Sequence, residues 1–316
     1  MKRIVINACG LKSKGGITIF KNLIENNKNV EFYVIYDNFE LKQIIGNNEN
    51  IFINTPRYFH AILNYFIKKE DLEYINNFDE IIHLGNFGFK TKIKTSTFVQ
   101  NALPIVSPFD SFRNFILRIL YFYSFKISDE IIVQQPHIAK LIPASSKIKI
   151  IGNLKYKNIP QSRNKGFVLI YEEIKNKNPK FVKQFISELA KFDLQINIVN
   201  SSLKHNLSFL NNSNYKNIVF HNDVGTKDLI NIFKNNSFYI HTSKYETVGL
   251  PIYEALDSGI KVIVPNEEYI NIDNPNIFKY FLGDSKSLME ACRKAINSKY
   301  VDEIIVPIYF EDWTLI

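Results

Sequence analysis

Residues 237–265 predict a strand, a helix and a second strand in direct succession. Residues 238–240 and 261–264 are apolar runs of the kind found in buried strands. A Gly-Leu-Pro sequence at 249–251 begins the helix, and Gly259 ends it. Two strands of one sheet that are joined through a helix lie parallel to each other. This stretch therefore constrains the chain to an α/β fold more strongly than any other part of it.

The same alternation continues through the rest of the chain. Apolar runs predict further strands over residues 3–8, 30–36, 50–55, 80–85, 96–104, 129–134, 147–153, 166–171, 194–200 and 217–222. Apolar residues at helical spacing predict helices from residue 17 onward and over residues 58–69, 109–126, 181–192, 226–235 and 285–297. Strands that alternate with helices in this way indicate parallel sheets.

Residues 154–165 interrupt this pattern. They are polar, contain Pro160 and show no periodicity, which favours a linker between domains. A chain of 316 residues has room for two α/β domains with separate cores. We therefore predict two Rossmann-like domains, residues 1–157 and 158–316, whose parallel sheets face a central cleft. Residues 309–316 leave little room for a further helix that would return to the first domain.

The basic excess of the chain is confined to its first half. Residues 1–157 hold 21 Lys and Arg against 13 Asp and Glu, whereas residues 158–316 hold 18 of each. Nucleic acid and anionic membranes are the usual partners of a basic surface, and a solvated surface without a partner is the third interpretation. Nucleic acid is disfavoured because no recognition module accompanies the charge. An anionic membrane surface and a plain solvated surface remain.

Residues 109–126 form an aromatic and basic helix within this half. Its apolar side chains nearly encircle the helix, with Arg113, Arg118 and Lys126 among them. The pattern is typical of a core helix with snorkelling cations, or of a segment that lies on anionic lipid. No apolar run approaches the roughly 20 residues of a membrane span. The only cysteines, Cys9 and Cys292, form neither a disulfide framework nor a metal cluster, which fits a reducing, cytoplasmic location.

Two carboxylates flank the helix start in residues 237–265. Glu246 precedes the Gly-Leu-Pro turn and Glu254 lies inside the helix. Ligands of open α/β sheets bind at this end of the strands. The N–H groups of a helix start suit phosphate, and a carboxylate suits sugar hydroxyls. The pattern predicts a nucleotide-sugar site, although two solvated glutamates are the simpler alternative.

The segment SKYETVGLPIYEALDSGIKVIVP (243–265) closely resembles the C-terminal signature of retaining GT-B glycosyltransferases, specifically of family 4. That signature has two glutamates separated by seven residues, with Gly-Leu-Pro between them. The resemblance continues upstream over residues 217–243 and downstream over 265–272, and it touches VQNALP and DEIIVQQP in the first half. It implies the GT-B fold and transfer from a nucleotide-diphosphate sugar.

The resemblance also implies roles for individual residues. Glu246 would contact hydroxyls of the transferred sugar as a catalytic residue, and Glu254 would hold the ribose. The donor diphosphate would meet the backbone amides of Thr247, Val248, Gly249 and Leu250. These amides and the carboxylates have the chemistry that such contacts require.

A further implied contact comes from the turn after the first strand of the second domain. Family members use basic residues there to neutralise the leaving diphosphate. Lys177 and Asn178 match the Lys-Asn of that turn, as a catalytic and a donor-binding residue. No Arg matches, and Glu172 and Glu173 stand where a positive residue is expected. A surface lysine is the alternative for Lys177.

Three donor-binding candidates lie in the first half. Gly15 and Gly16, directly after the first strand, would let the backbone approach a phosphate or the acceptor closely, with an ordinary turn as the alternative. Asn101 ends a strand where many family members carry a histidine that touches the donor sugar. The six histidines show no metal-ligand spacing, and no Asp-x-Asp motif occurs. We therefore expect no cofactor and no metal.

These observations predict a retaining glycosyltransferase that uses a nucleotide sugar donor and a saccharide acceptor, including a lipid-linked one, in bacterial surface polysaccharide or lipopolysaccharide synthesis. The domain of residues 1–157 would bind the acceptor, and the domain of residues 158–316 would bind the nucleotide sugar. It would be cytoplasmic, with peripheral attachment to the inner face of the cytoplasmic membrane. A GT-B-fold nucleotide-sugar 2-epimerase and a non-catalytic sugar-nucleotide or glycan-binding protein are alternatives. An NAD(P) enzyme is disfavoured because no compact G-x-G-x-x-G turn follows the first strand.

Overall fold

The chain folds into two compact units. The structure is a computed structural model, and it describes residues 2–53, 68–107, 109, 111–162, 166–200 and 216–315. The first unit comprises residues 1–153 together with 311–316, and the second comprises residues 154–310. The final residues, 311–316, thus lie with the first unit.

The first unit is built on a parallel sheet. Its described strands are β1 (Arg3–Asn7), β2 (Glu31–Tyr36), β3 (Glu49–Phe52), β4 (Glu80–His83), β5 (Lys94–Val99), β6 (Glu130–Val133) and β7 (Ile148–Ile150). Their order in the sheet is β3-β2-β1-β4-β5-β6-β7. The central strand β1 pairs with β2 on one side and with β4 on the other, both in parallel register. The strand order therefore reverses between β1 and β4.

Helices cover this sheet. They are α1 (Lys14–Asn26), α2 (Lys42–Ile45), α3 (Lys69–Ile75), α4 (Leu103–Val106), α5 (Phe112–Ile127) and α6 (Pro136–Ala139). Helix α1 begins at a capped turn, in which the backbone N–H of Gly16 donates to Ser13 Oγ at 3.1 Å. Its residues Phe20 and Leu23 are fully buried in the same core as Ile4 and Ile6 of β1.

The second unit repeats the arrangement. Its sheet strands are β9 (Phe167–Ile170), β10 (Ile196–Asn200), β11 (Ile218–Asn222), β12 (Phe238–Ile240), β13 (Lys261–Pro265) and β14 (Ile277–Tyr280). Their order is β11-β10-β9-β12-β13-β14, and every pairing is parallel. The order reverses between β9 and β12.

Helices lie on both faces of this second sheet. One core joins the sheet to α7 (Pro179–Leu189) and α10 (Ser285–Asn297), and the other joins it to α8 (Thr226–Lys234) and α9 (Leu250–Asp257). Each unit is thus Rossmann-like, which confirms the predicted α/β class with two parallel-sheet domains. Among the described residues, no helix has both the length and the apolar character to cross a membrane.

The polar segment at residues 154–165 is not the structureless linker that its composition indicates. Strand β8 (Gly152–Pro160) pairs with β15 (Glu303–Glu311) in a small two-stranded sheet. Most β8 side chains are exposed, and only Ile159 is buried. Because Ile159 alone among the β8 side chains is buried in a core, the sequence of β8 carries no apolar alternation from which a strand could be predicted.

Other boundaries also differ from expectation. The strand predicted over residues 96–104 ends at Val99, because residues 103–106 turn into the short helix α4. Helix α3 and strand β14 were not predicted. The helix expected at 58–69 falls largely on residues 54–67, which lie outside the described residues.

The C-terminal segment completes the core of the first unit without a long helix. Trp313 lies in a 3₁₀ turn over Trp313–Leu315 and is fully buried. Its ring contacts Phe98 of β5 at 5.3 Å between centroids. Its Nε1 donates to Glu311 Oε2 at 2.9 Å, and Asn27 Nδ2 donates to its carbonyl oxygen at 3.3 Å. The segment thus returns to the first unit through this 3₁₀ turn.

Candidate active site

The carboxyl edge of the second sheet holds most of the predicted site residues. The loops after β9 and β12 meet there, at the point where the strand order reverses. In open α/β sheets this switch point is where ligands bind. Three hydrogen bonds tie the two loops: Lys244 N to Asn176 O at 2.8 Å, Thr242 Oγ1 to Lys177 O at 3.1 Å and Asn176 Nδ2 to Tyr245 O at 2.5 Å.

Glu246 and Lys177 form an ion pair across these loops. Lys177 Nζ lies 2.6 Å from Glu246 Oε1, and their side chains are only 23% and 17% exposed. Burial alone would raise the pKa of the Glu246 carboxyl, but the charge of Lys177 and hydrogen bonds from Lys177 and Ser243 hold that pKa below its ordinary value. Glu246 is therefore ionised at neutral pH beside a cation.

The turn that carries Lys177 ends in a left-handed backbone conformation, which accounts for an asparagine at position 178. Lys175–Lys177 forms a 3₁₀ turn, and Asn178 adopts a left-handed conformation with φ 57° just before α7 begins at Pro179. Asparagine tolerates this conformation better than most residues. In the same turn Glu173 accepts from Tyr171 Oη at 3.1 Å and pairs with Lys183 at 3.4 Å. Glu173, one of the two glutamates that stand where a positive residue was expected, is thus paired with Lys183.

The segment before α9 presents its backbone. Gly249 has φ 74°, a conformation that favours glycine, and it precedes the helix as its N-cap. The Val248 side chain is buried in the core, whereas Leu250 is 44% exposed. Among the described residues, no protein group accepts a hydrogen bond from the N–H of Thr247, Val248, Gly249 or Leu250. These N–H groups, at the start of a helix, can receive an anion.

Glu254 lies on α9 in a different electrostatic environment. No lysine or arginine within the described part of the chain forms an ion pair with it. Burial raises the pKa of its carboxyl above the ordinary value. The two signature glutamates therefore differ. Glu246 is paired with Lys177, whereas Glu254 is partly buried and has no paired cation among the described residues.

His241 belongs to the site, although the sequence analysis assigned it no role. It follows β12 directly, is 2% exposed and shares a hydrogen bond of 2.8 Å between Nδ1 and the Tyr239 hydroxyl. Its Nε2 is buried and has no hydrogen-bond partner among the described residues. Burial lowers the pKa of the ring to about 4, so His241 is neutral at neutral pH. A polar residue directly after a buried strand, five positions before Glu246, was a usable signal.

Gly15, Gly16 and Asn101 lie in the first unit. Gly15 and Gly16 occupy the first turn of α1, and a Cβ added at Gly16 would come within 2.7 Å of Gln100 Nε2. Gln100 also donates to Ser13 Oγ at 3.0 Å. The end of β5, where Asn101 follows, is thus packed against the start of α1. Close packing explains Gly16 without a ligand, and the donor contacts predicted for these three residues stay predictions.

No group of three His, Cys, Asp or Glu side chains that could hold a metal ion occurs in the part of the chain that the structure describes.

Residues 153–298 match the family described as glycosyl transferases group 1. None of the curated proteins matches the chain by sequence. Among solved structures, the chain is similar to sucrose-phosphate synthase from Thermosynechococcus elongatus, at 12% identity over 94% of this chain and 90% of that chain, with a TM-score of 0.67. It is similar to Anabaena HepE in complex with UDP-glucose, at 14% identity over 94% and 90%, with a TM-score of 0.66.

A UDP-GlcNAc 2-epimerase from Neisseria meningitidis, solved with UDP-GlcNAc bound, is also similar, at 14% identity over 94% of this chain and 91% of that chain, with a TM-score of 0.58. At these identities the likeness shows the fold alone, which is the GT-B architecture. The group 1 match covers most of the second unit, where Glu246, Lys177 and Glu254 lie. The chain is a glycosyltransferase.

Proposed function

We propose that this glycosyltransferase is a retaining, family 4 type enzyme that moves a sugar from a nucleotide-diphosphate donor to a saccharide acceptor in bacterial surface polysaccharide or lipopolysaccharide synthesis. The observation that carries the proposal is the Glu246–Lys177 ion pair beside the N–H groups of residues 247–250, at the switch point of the second sheet. A cation and unpaired amides suit a diphosphate, and a charged carboxylate beside them suits the hydroxyls of its sugar.

Each of these groups is proposed to contact a different part of the donor. Lys177 and the amides of residues 247–250 take the diphosphate and stabilise the charge that develops on it as it leaves. Asn178 holds the turn that positions Lys177. Glu246 accepts hydrogen bonds from the transferred sugar, and Glu254 accepts them from the ribose.

In the proposed reaction the acceptor oxygen bonds to the anomeric carbon as the bond from that carbon to the phosphate oxygen breaks. The acceptor proton passes to the leaving phosphate, so both events occur on the same face of the sugar and its configuration is retained. No protein base and no metal ion are required. The neutral His241 places no second positive charge beside Lys177 and Glu246 at neutral pH.

Donor identity is tested by thermal shift against UDP, GDP, dTDP and CMP sugars. We expect one nucleotide class to stabilise the protein, by about 2.7 kcal/mol at a ligand concentration of 100 times Kd. With that donor and a saccharide acceptor library, NMR should show a product with the donor's anomeric configuration, formed equally in EDTA. No stabilisation by any of the nucleotides, or an inverted product, would contradict the proposal.

Replacing Glu254 by Ala should weaken nucleotide binding about tenfold, because one charge-assisted hydrogen bond to the ribose is lost. Turnover at saturating donor should change little, since Glu254 is not placed at the reacting sugar. Isothermal titration with the nucleotide and kcat measurement separate the two effects. Glu290→Ala is the matched control, because Glu290 is an exposed glutamate on α10. Unchanged nucleotide affinity in the Glu254 variant would refute its role.

The fold is also compatible with the epimerase alternative, since one similar structure is a 2-epimerase. The group 1 match favours transfer instead. Incubating the protein with UDP-GlcNAc and no acceptor distinguishes the two, because only an epimerase would produce UDP-ManNAc. A non-catalytic binding protein would bind the nucleotide sugar and form no product with any acceptor.

We also propose that the enzyme is cytoplasmic, acts on a lipid-linked acceptor and docks on an anionic membrane through α5. Four apolar side chains at positions i, i+4, i+7 and i+11 of this helix are 43–79% exposed: Phe112, Ile116, Ile119 and Tyr123. The opposite face, with Leu117, Tyr121 and Phe125, is buried in the first unit. The expectation of a core helix thus fails for one face, and an exposed apolar stripe of this size favours an interaction surface.

Charge at the end of the stripe favours an anionic lipid. A depression of about 960 Å³ is lined by Tyr123, Asp129 and five lysines: Lys90, Lys92, Lys94, Lys126 and Lys147. Lys94 and Lys147 pair with Glu130, but Lys90, Lys92 and Lys126 form no ion pair within the described residues. Such a lysine cluster beside apolar side chains suits phosphate headgroups.

Vesicle flotation tests this docking. The protein should float with vesicles rich in phosphatidylglycerol and not with neutral phosphatidylcholine vesicles. Combining Phe112→Ser, Ile116→Ser and Ile119→Ser should abolish flotation, since each buried apolar side chain is worth about tenfold in binding or more. Phe281→Ser, at a residue 67% exposed in the second unit, is the control. Equal binding to both vesicle types, or to neither, would end the proposal.

A further inference from the structure

The first unit contains a small pocket of its own at the point where its strand order reverses. The pocket has a volume of about 240 Å³ and lies at the carboxyl ends of β1, β4 and β5, with one wall formed by α5. This is the position in the first sheet that corresponds to the Glu246–Lys177 site in the second. By the same rule for α/β sheets, it is a candidate ligand site.

The polar side chains that line this pocket are hydrogen-bond donors. Lys12 and Arg113 contribute cations, and Asn86 and Asn101 contribute amides. No carboxylate is among the lining residues. The carboxylate of Asp37, which is not a lining residue, lies 3.8 Å from Lys12 Nζ and also accepts a hydrogen bond from the backbone N–H of Gly10 at 2.9 Å.

The orientation of the two amides follows from their oxygens. Asn86 Oδ1 accepts from the backbone N–H groups of Gln100 at 2.7 Å and of Asn101 at 2.8 Å. Asn101 Oδ1 accepts from Leu103 N at 3.0 Å. Asn86 Oδ1 thus accepts two hydrogen bonds and Asn101 Oδ1 accepts one, and neither Nδ2 donates to any residue that the structure describes. The Nδ2 groups of both amides are therefore the donors that remain for a ligand.

The backbone around the pocket is closely packed. Asn86 has φ 71°, and a Cβ added at Gly85 would fall 2.1 Å from the carbonyl oxygen of Cys9, so the loops after β1 and β4 touch. Tyr121 is buried and donates to the Asn101 carbonyl oxygen. The two amide donors are thus held in place, as a binding site requires. The apolar walls, Phe87 and Leu117, would face the rest of the ligand.

We propose that this pocket binds an oxyanion of the acceptor, either a phosphate or a carboxylate carried by the acceptor sugar. Two cations and two amide donors without a lining carboxylate complement such a group and disfavour a cation. The assignment to the acceptor rests on the proposed function, in which the second unit takes the donor. Binding of an oxyanion at the pocket is the part that the next experiment measures directly.

Isothermal titration of the full chain, with UDP present to fill the donor site, compares inorganic phosphate, glucose 6-phosphate, glucuronate and glucose. We expect binding of the anions and binding of glucose at least about tenfold weaker. The relative affinities of glucose 6-phosphate and glucuronate identify which oxyanion is preferred. The double variant Lys12→Gln, Arg113→Gln should weaken anion binding about tenfold or more, whereas Lys28→Gln, an exposed lysine on the same unit, should change nothing.

Lys177→Gln separates the two proposals. Anion binding that depends on Lys177 and not on Lys12 and Arg113 would overturn the pocket assignment and leave the donor proposal standing. Anion binding that depends on Lys12 and Arg113 in a protein that does not bind UDP would support the pocket and contradict the donor proposal. Thermal unfolding of the double variant is measured in parallel, because Lys12 pairs with the buried Asp37 and a loss of anion binding must be separated from a loss of folding. Glucose binding as tight as that of the anions would also overturn the inference.

Discussion

Replacing Glu246 by Gln should lower kcat for sugar transfer by about 100- to 1,000-fold, the range for loss of one preorganised electrostatic contact in a transition state. The amide keeps the size of the side chain but removes its charge, and it donates where the carboxylate only accepts. Binding of UDP without a sugar should not weaken, because Glu246 engages Lys177 at 2.6 Å in the structure. The variant leaves Lys177 more available to the diphosphate.

This separation of kcat from UDP affinity distinguishes a catalytic role from a structural one. If Glu246 only held the loop through Lys177, the variant would bind UDP poorly and unfold at a lower temperature. Glu188→Gln is the control, since Glu188 is an exposed glutamate of the second unit that also pairs with a lysine. Turnover within a few-fold of the wild type in the Glu246 variant would remove the residue from the mechanism.

The largest expected effect on stability comes from Trp313→Ala. Truncating a fully buried Trp costs about 3–5 kcal/mol through lost burial and the cavity that remains. The loss should be confined to the first unit, where Trp313 packs against Phe98. Hydrogen exchange measured by mass spectrometry should show reduced protection in β1, β2 and β5, with β12 and β13 unchanged.

Trp313→Phe is the conservative comparison and should restore most of this protection, because an aromatic ring refills much of the space. Exchange that rises equally in both units would contradict the local role of Trp313. So would a Trp313→Ala variant with wild-type protection throughout.

The fold could be predicted because buried parallel strands carry continuous apolar runs, and the intervening helices carry a different period. Strand β8 lacked that signal, because its side chains face solvent and its stability comes from backbone pairing with the distant β15. Helix α5 was ambiguous because it has too many apolar residues rather than too few. Apolar residues surround it, so only the position of the sheet decides which of them are exposed.

The candidate site was predictable in part. Glu246 and Lys177 each follow a strand of a parallel sheet, so both could be placed at its carboxyl edge. Their separation of 69 positions left the ion pair itself to be found in the structure, where the strand order brings β9 beside β12. His241 Nε2 has no hydrogen-bond partner in the described part of the chain, and Asn86 Oδ1 accepts from backbone N–H groups 14 and 15 positions away; both environments depend on neighbours from several segments. No local pattern could indicate them.

The burial of Trp313 in the first unit also bears on the order in which the chain can fold as it is synthesised. Domains generally form from the N-terminus while the ribosome is still adding residues. Here the first unit lacks a core side chain until the whole of the second unit has been translated. Until Trp313 is synthesised, the core of the first unit therefore stays incompletely packed, and apolar surface that chaperones can bind stays exposed. Slower elongation through the second unit should lengthen that interval and increase aggregation of the nascent chain.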